Sequence, residues 1–118
     1  MLSGNNAPII KDHLHDKDEL TLSIFVPKEL SCFDGHFPGN PVLPGVAQID
    51  WVCQLGITQF NFVGFNSIQS VKYNGMILPE TNAKLTLKAK GLELRFSYRN
   101  DKQTLSSGCI TFSDRMQK

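Results

Sequence analysis

The sequence predicts an α+β domain in which one antiparallel sheet curves around a single helix. Three observations predict it. Apolar residues recur at steps of three and four over 46–60, the spacing of a helix. Apolar and polar residues alternate over 19–26 and again in several runs after residue 67, the spacing of half-buried strands. The loop ahead of the helix is dense in proline and glycine, which separates the two regimes.

At 118 residues the chain fits one domain, 1–118, with 1–18 a polar, irregular lead-in. A domain of this size buries roughly two-thirds of its unfolded surface, enough for a true core. The apolar fraction is 41%, which argues against disorder. "ELTLSIFV" is the first expected strand, with Leu20, Leu22, Ile24 and Val26 on one face and Thr21 and Ser23 on the other; Pro27 stops it. Residues 30–45 read as loop. The helix over 46–60 carries Val46, Ile49, Val52, Cys53 and Ile57, with Trp51, Leu55 and Phe60 widening the apolar girdle. Apolar on most sides, it is expected to be wrapped by other structure. "NFVGFN" reads as its break. Strand patterns follow in "SIQSVKYNGMIL", with Asn74-Gly75 a turn or bulge, and in "AKLTLKAKGLELRFSYRN", interrupted at Gly91. Asn100-Asp101-Lys102 signals a hairpin turn before a last strand, "TLSSGCITFS". One helix covers one face of a sheet, and sheet edges seek partners, so a dimer is expected.

Composition excludes several function classes. Net charge is +1 without a dense Lys/Arg tract, so nucleic acid is not an expected partner. Apolar runs are short and broken, so no membrane span is expected. The first twenty residues lack the basic and long apolar regions of a secretory leader. Cys32, Cys53 and Cys109 are widely spaced and odd in number, which suits a reducing cytoplasm and neither a disulfide framework nor a zinc site. Cys53 reads as a small buried hydrophobe or, alternatively, a nucleophile.

The segment "FDGHFPGNPVLPGVAQIDWV", 33–52, concentrates candidate chemistry. Pro38, Pro41 and Pro44 fix their own φ and restrict the residues before them, while Gly35, Gly39 and Gly45 permit turns and close approach. Together they pin His36 relative to the helix start. That start offers unpaired N–H groups and a positive dipole end, at which an oxygen gaining charge can rest, and Gly45 has no side chain to block access. Asp50 lies one turn in, within an apolar stretch, and Gln54 follows at i+4, where it can hydrogen-bond Asp50. Taken singly, each residue has an ordinary alternative: a solvated loop histidine, a structural aspartate, a merely rigid or polyproline-type loop.

"GHFPGNPVLPGVAQIDWVCQ" resembles the active-site segment of the β-hydroxyacyl-acyl carrier protein dehydratases, which have the hot-dog fold: a long helix wrapped by an antiparallel sheet, as a dimer. His36, Phe37, Pro38, Gly39, Pro41, Val42, Pro44, Gly45 and Val46 match the family pattern H-F-P-G/x-x-P-V/I-x-P-G-V/C. Asp50 and Gln54 stand at its acid and glutamine positions. "VKYNGMILPE" is similar to its strand pattern K-F-x-x-P-V-x-P-G-D, with Met76 for the proline and Pro79-Glu80-Thr81 for P-G-D. Many stand-alone members carry Glu at the acid position and the dehydratase–isomerase branch carries Asp. The short chain and "LPGVAQIDW" look most like small stand-alone dehydratases of aryl polyene-type gene clusters.

The resemblance implies dehydration of a 3-hydroxyacyl thioester on an acyl carrier protein to the trans-2-enoyl thioester. It implies His36 as general base at C2, Asp50 as acid toward the C3 hydroxyl, Gly45 and Val46 amides on the thioester oxygen, and Gln54 orienting Asp50. By the same analogy His36 and Asp50 of one site come from different subunits. Phe37, Val42, Pro44 and Trp51 are expected to bind substrate, with Phe33, Phe60, Phe62 and Phe65 as candidates for an apolar channel. No metal or diffusible cofactor is implied. Expected partners are the carrier protein, to which Lys72, Lys88, Lys90, Arg95 and Arg99 offer docking charge, and a second copy or another hot-dog protein, in a dimer or higher even oligomer. A hot-dog acyl thioesterase and a non-catalytic assembly subunit are the rival readings.

Overall fold

The computed structural model describes residues 7–33 and 41–116. Among them, six strands form one antiparallel sheet: β1 (Ile9–Asp16), β2 (Glu19–Val26), β3 (Phe62–Tyr73), β4 (Thr81–Lys90), β5 (Glu93–Arg99) and β6 (Thr104–Arg115). The single α-helix, α1, spans Gly45–Phe60, and a 3-10 turn occupies Ser31–Phe33. The spatial order is β1-β2-β4-β5-β6-β3, so the last strand in sequence lies inside the sheet and β3 forms an edge.

The strands bury the residues that their alternation assigns inward. Leu20, Leu22, Ile24 and Val26 of β2 pack with Ala83, Leu85, Leu87 and Ala89 of β4 and Leu94, Phe96 and Tyr98 of β5. In register, Leu22 faces Leu85 and Leu85 faces Tyr98, so one row of side chains crosses three strands. Helix α1 lays Gln48, Trp51, Val52, Leu55, Gly56 and Phe60 on this surface. Each large apolar side chain so buried stabilises the fold by about 1.5–3 kcal/mol. A Cβ at Gly56 would stand 2.8 Å from Leu94 and 3.0 Å from Phe112, which leaves glycine the residue that lets helix and sheet approach this closely. The helix ends at Asn61, whose left-handed backbone (φ 62°) returns its N–H to the Gly56 carbonyl.

Two sequence expectations are corrected. Residues 9–16 form strand β1, not part of a loose lead-in: they pair with β2 from Ile9 opposite Phe25 to Asp16 opposite Glu19. Every residue of β1 is exposed, so its side chains show no apolar alternation and only the backbone pairing reveals the strand. The "NFVGFN" stretch is a break only at Asn61; β3 begins at Phe62 and runs through Gly64. Its register against β6 shifts between Phe65 and Ser67 and between Ile68 and Ser70, and these bulges obscure the period of two.

Candidate functional site

The chain enters α1 through Pro41, Val42, Leu43 and Pro44, and this approach is braced on both sides. The Leu43 N–H donates to the Ile77 carbonyl at 2.8 Å. The Leu43 carbonyl accepts from the Gln48 side-chain amide, Nε2, at 3.2 Å. Pro44 is the N-cap residue, extended at φ −61° and ψ 146°, and its carbonyl accepts the first helical bond from Gln48 N–H at 3.1 Å. Proline has no side-chain acceptor, and no side chain caps the helix among the described residues. The first-turn amides of Gly45 and Val46 therefore have no capping side-chain acceptor among the described residues.

Gln48 is the organising residue of this corner, and no local pattern in the sequence marks it. It is 3% exposed. Its side-chain oxygen accepts from the Ser106 hydroxyl at 2.7 Å, and its main-chain carbonyl accepts from the Tyr98 hydroxyl, also at 2.7 Å. Both partners are fully buried. Burial pushes the Tyr98 phenol far above the ordinary tyrosine value, with the charges of Tyr73 and Asp50 adding in the same direction. Ser106 stands opposite Tyr98 on one side and opposite Tyr73 on the other. Three hydroxyls thus line up across β5, β6 and β3 beneath the first turn of α1. The Tyr73 phenol packs against Gly45: a Cβ there would overlap the phenol oxygen and stand 2.6 Å from the ring carbon that bears it.

Asp50 is exposed, where the sequence suggested a carboxyl buried among apolar neighbours. Those neighbours belong to two faces. Trp51, Val52 and Leu55 turn inward, while Val46, Asp50 and Ile57 form an outward stripe, since steps of four and seven keep residues on one side of a helix. Val46 is 82% exposed. The stripe continues in character onto β3, where Phe65, Ile68 and Val71 are also exposed. Gln54, the expected orienting amide, is half-buried on the same side of the helix.

Of the other expected site residues, Val42 and Pro44 are half-buried beside the helix start. Trp51 is 1% exposed and Phe33 is also buried, so within the chain both serve the core and neither presents a substrate surface. Phe60 and Phe62 are buried too; Phe65 alone of that aromatic group is exposed. His36 and Phe37 lie outside the described residues. Cys53 is half-buried, and burial together with the Asp50 charge raises its thiol pKa, which opposes a nucleophilic role. Lys88 stands opposite Arg95 and Lys84 opposite Arg99 on the exposed face of the sheet. A cleft of about 730 Å³ lies at the far end of α1, lined by His15, Phe60 and Arg115 among others; of the candidate residues it contains only Phe60, among the described residues. Among the described residues no cluster of His, Cys, Asp and Glu has the form of a metal site, and no helix is long and apolar enough to cross a membrane.

Comparison with known proteins agrees with this architecture. A chain of the dehydratase heterocomplex ApeI:P from Xenorhabdus doucetiae superposes with a TM-score of 0.79 at 33% identity, over 89% of this chain and 96% of that one. A protein from Erwinia carotovora subsp. atroseptica superposes with a TM-score of 0.77 at 34% identity, over 94% and 99%. Among curated proteins, the 3-hydroxyacyl-[acyl-carrier-protein] dehydratase FabZ of Latilactobacillus sakei is 34% identical over 71 residues, 53% of this chain and 51% of that protein. The FabZ of Lactiplantibacillus plantarum is 31% identical over 96 residues, 71% and 65%. The chain therefore spans about half the length of the first of these relatives and under two-thirds of the second. The sheet wrapped on one helix is a hot-dog fold, as the sequence predicts. With residues 12–109 matched by the family model described as ApeI-like, ApeI dehydratase, the chain belongs to the ApeI-like dehydratase family.

Proposed function

We propose that this chain dehydrates a 3-hydroxyacyl thioester, carried on the phosphopantetheine arm of an acyl carrier protein, to the trans-2-enoyl thioester. The observation that carries the reading is the uncapped start of α1, with Asp50 one turn beyond it on the outward stripe that begins at Val46. Family membership supports the reaction class.

In this reading the thioester carbonyl rests on the Gly45 and Val46 N–H groups. Neutral His36 removes a proton from C2, and negative charge builds on the thioester oxygen, where the free amides and the helix dipole stabilise it. The C3–O bond then breaks as Asp50 gives a proton to the departing hydroxyl, and water leaves. A carboxyl acting as acid near neutral pH must be desolvated, which an exposed Asp50 does not achieve in one chain. A second protomer covering the stripe of Val46, Asp50 and Ile57 and the exposed residues of β3 supplies that burial and brings its own His36 to Asp50. Gln54 orients Asp50 within the covered face. Val42 and Pro44, with Phe37, bound the thioester end. The partner is a second copy of this chain or a second hot-dog protein, the latter supported by the similarity to a chain of a dehydratase heterocomplex. Acid, base and oxyanion donors all come from the polypeptide, so the reaction as written draws on no cofactor or metal. Three free cysteines fit a cytoplasmic enzyme.

The test is turnover of a short panel of 3-hydroxyacyl thioesters, alkyl and aryl, followed by enoyl formation. Enoyl product is expected, with losses of at least ~100-fold in His36→Ala and in Asp50→Asn. Release of free thiol without enoyl product, or full turnover by either variant, overturns the reading.

A further inference from the structure

Three hydroxyl groups lie in one row across neighbouring strands: Tyr98 on β5, Ser106 on β6 and Tyr73 on β3. All three point toward the first turn of α1. The Tyr98 hydroxyl is taken by the Gln48 carbonyl, and the Ser106 hydroxyl by the Gln48 side chain, each at 2.7 Å. Tyr73 reaches past Gln48 to Gly45, and among the described residues its hydroxyl has no hydrogen-bond partner. It is also 49% exposed, whereas its two neighbours in the row are sealed in the core. A polar group packed beside the first-turn helix amides, with open access on its other side, is positioned for a ligand.

We propose that Tyr73 is a further catalytic residue, whose hydroxyl donates a hydrogen bond to the substrate's thioester oxygen alongside the Gly45 N–H as that oxygen gains charge. The proposal rests on the dehydratase reading above. The atoms balance without further reactants. The C2 proton goes to His36, the C3 oxygen leaves with the Asp50 proton, and Tyr73 keeps its own proton throughout. Burial pushes the Tyr73 phenol pKa upward, so it remains a donor at neutral pH. The family strand pattern has phenylalanine after the lysine, and this chain has Tyr73 after Lys72. Phenylalanine packs in the same way but donates nothing. Gly45 fits the same scheme, because any side chain there would occupy the place of the phenol.

The experiment is steady-state dehydration of a 3-hydroxyacyl pantetheine thioester by the wild-type chain and by Tyr73→Phe, together with the thermal unfolding of both. The ring is kept, so the unfolding transition is expected to stay in place. A fall in kcat of about 10- to 100-fold with KM nearly unchanged is expected, since a donor to the developing oxyanion acts in the transition state. A variant kcat within about twofold of wild type, or an effect confined to KM, overturns the role of Tyr73 and leaves the dehydratase reading standing. A wild-type chain that forms no enoyl product overturns both.

Discussion

The Ser106 hydroxyl donates to the side-chain oxygen of Gln48 at 2.7 Å across 58 positions of sequence. This bond and the Gln48–Leu43 bond tie three segments together: the proline-rich approach, the first turn of α1 and strand β6. The start of α1 is therefore held by long-range hydrogen bonds in addition to its prolines.

Gln48→Leu tests that tie. The replacement is of similar size but leaves the buried Ser106 hydroxyl and Leu43 carbonyl without this partner. A loss of about 1–3 kcal/mol in stability to urea is expected. Adding Ser106→Ala removes one orphan and should recover part of the loss, a coupling that a double-mutant cycle measures directly.

Gly45→Ala is expected to separate stability from activity. Its new methyl collides with the Tyr73 phenol, which is half-exposed and free to swing aside. The folding cost should stay below ~1 kcal/mol, since alanine suits a helix better than glycine. Turnover should fall by at least about tenfold, and combining it with Tyr73→Phe should cost less than the product of the two single effects. Multiplicative losses would show that the two positions act independently.

Alkaline pH should weaken the fold through Tyr98. Its folded pKa is raised well above the ordinary value by burial, so above about pH 10 the unfolded chain loses a proton that the folded chain keeps. The stability is fully present below that pH and is lost as pH rises, by about 1.4 kcal/mol per unit for this group. Denaturation midpoints of wild type and Tyr98→Phe between pH 8 and 11 should converge as the wild type loses this advantage. Parallel curves would assign the alkaline loss to other groups.

Ile68→Glu places a charge on the exposed apolar edge strand. If that face joins two protomers, light scattering should report a smaller species and turnover should drop with it, while circular dichroism of the monomer is unchanged. A variant with unaltered mass and activity would move the interface elsewhere.

Cys53 is expected to be a spectator. Its raised pKa, from burial first and the Asp50 charge second, keeps it a thiol near neutral pH. Iodoacetamide should label it more slowly than a free thiol at pH 7.5, and Cys53→Ala should retain turnover within about twofold.

Much of the fold was legible in the chain because its signals are local. The alternation of Leu20, Leu22, Ile24 and Val26 marks β2 at its observed bounds, and the apolar spacing from Val46 to Phe60 marks α1 to within one residue. Strand β1 was not legible, since a strand exposed on both faces carries no apolar period. Short spacing along the chain was enough to place Gly45 and Val46 at the start of α1 and Asp50 one turn further on. The role of Gln48 was not legible, since in sequence it looks no different from Gln54. What distinguishes them is that the row of Tyr98, Ser106 and Tyr73 lies beneath the first, and its members come together only when the strands pair. Asp50 is exposed for a related reason: on a helix, adjacent residues point in different directions, so its apolar neighbours in sequence are not its neighbours in space.

The strand made last, β6, is inserted between β5 and β3. During synthesis, then, β3 has no hydrogen-bonding neighbour in its own chain until the residues from Thr104 onward have emerged from the ribosome. Until then β3, with its aliphatic and aromatic side chains bare, is open to stray pairing with other nascent copies. Closure of the sheet and bracing of the first turn of α1 through Ser106 become the same late event, so a ribosome stalled ahead of that strand holds a sticky, incomplete sheet.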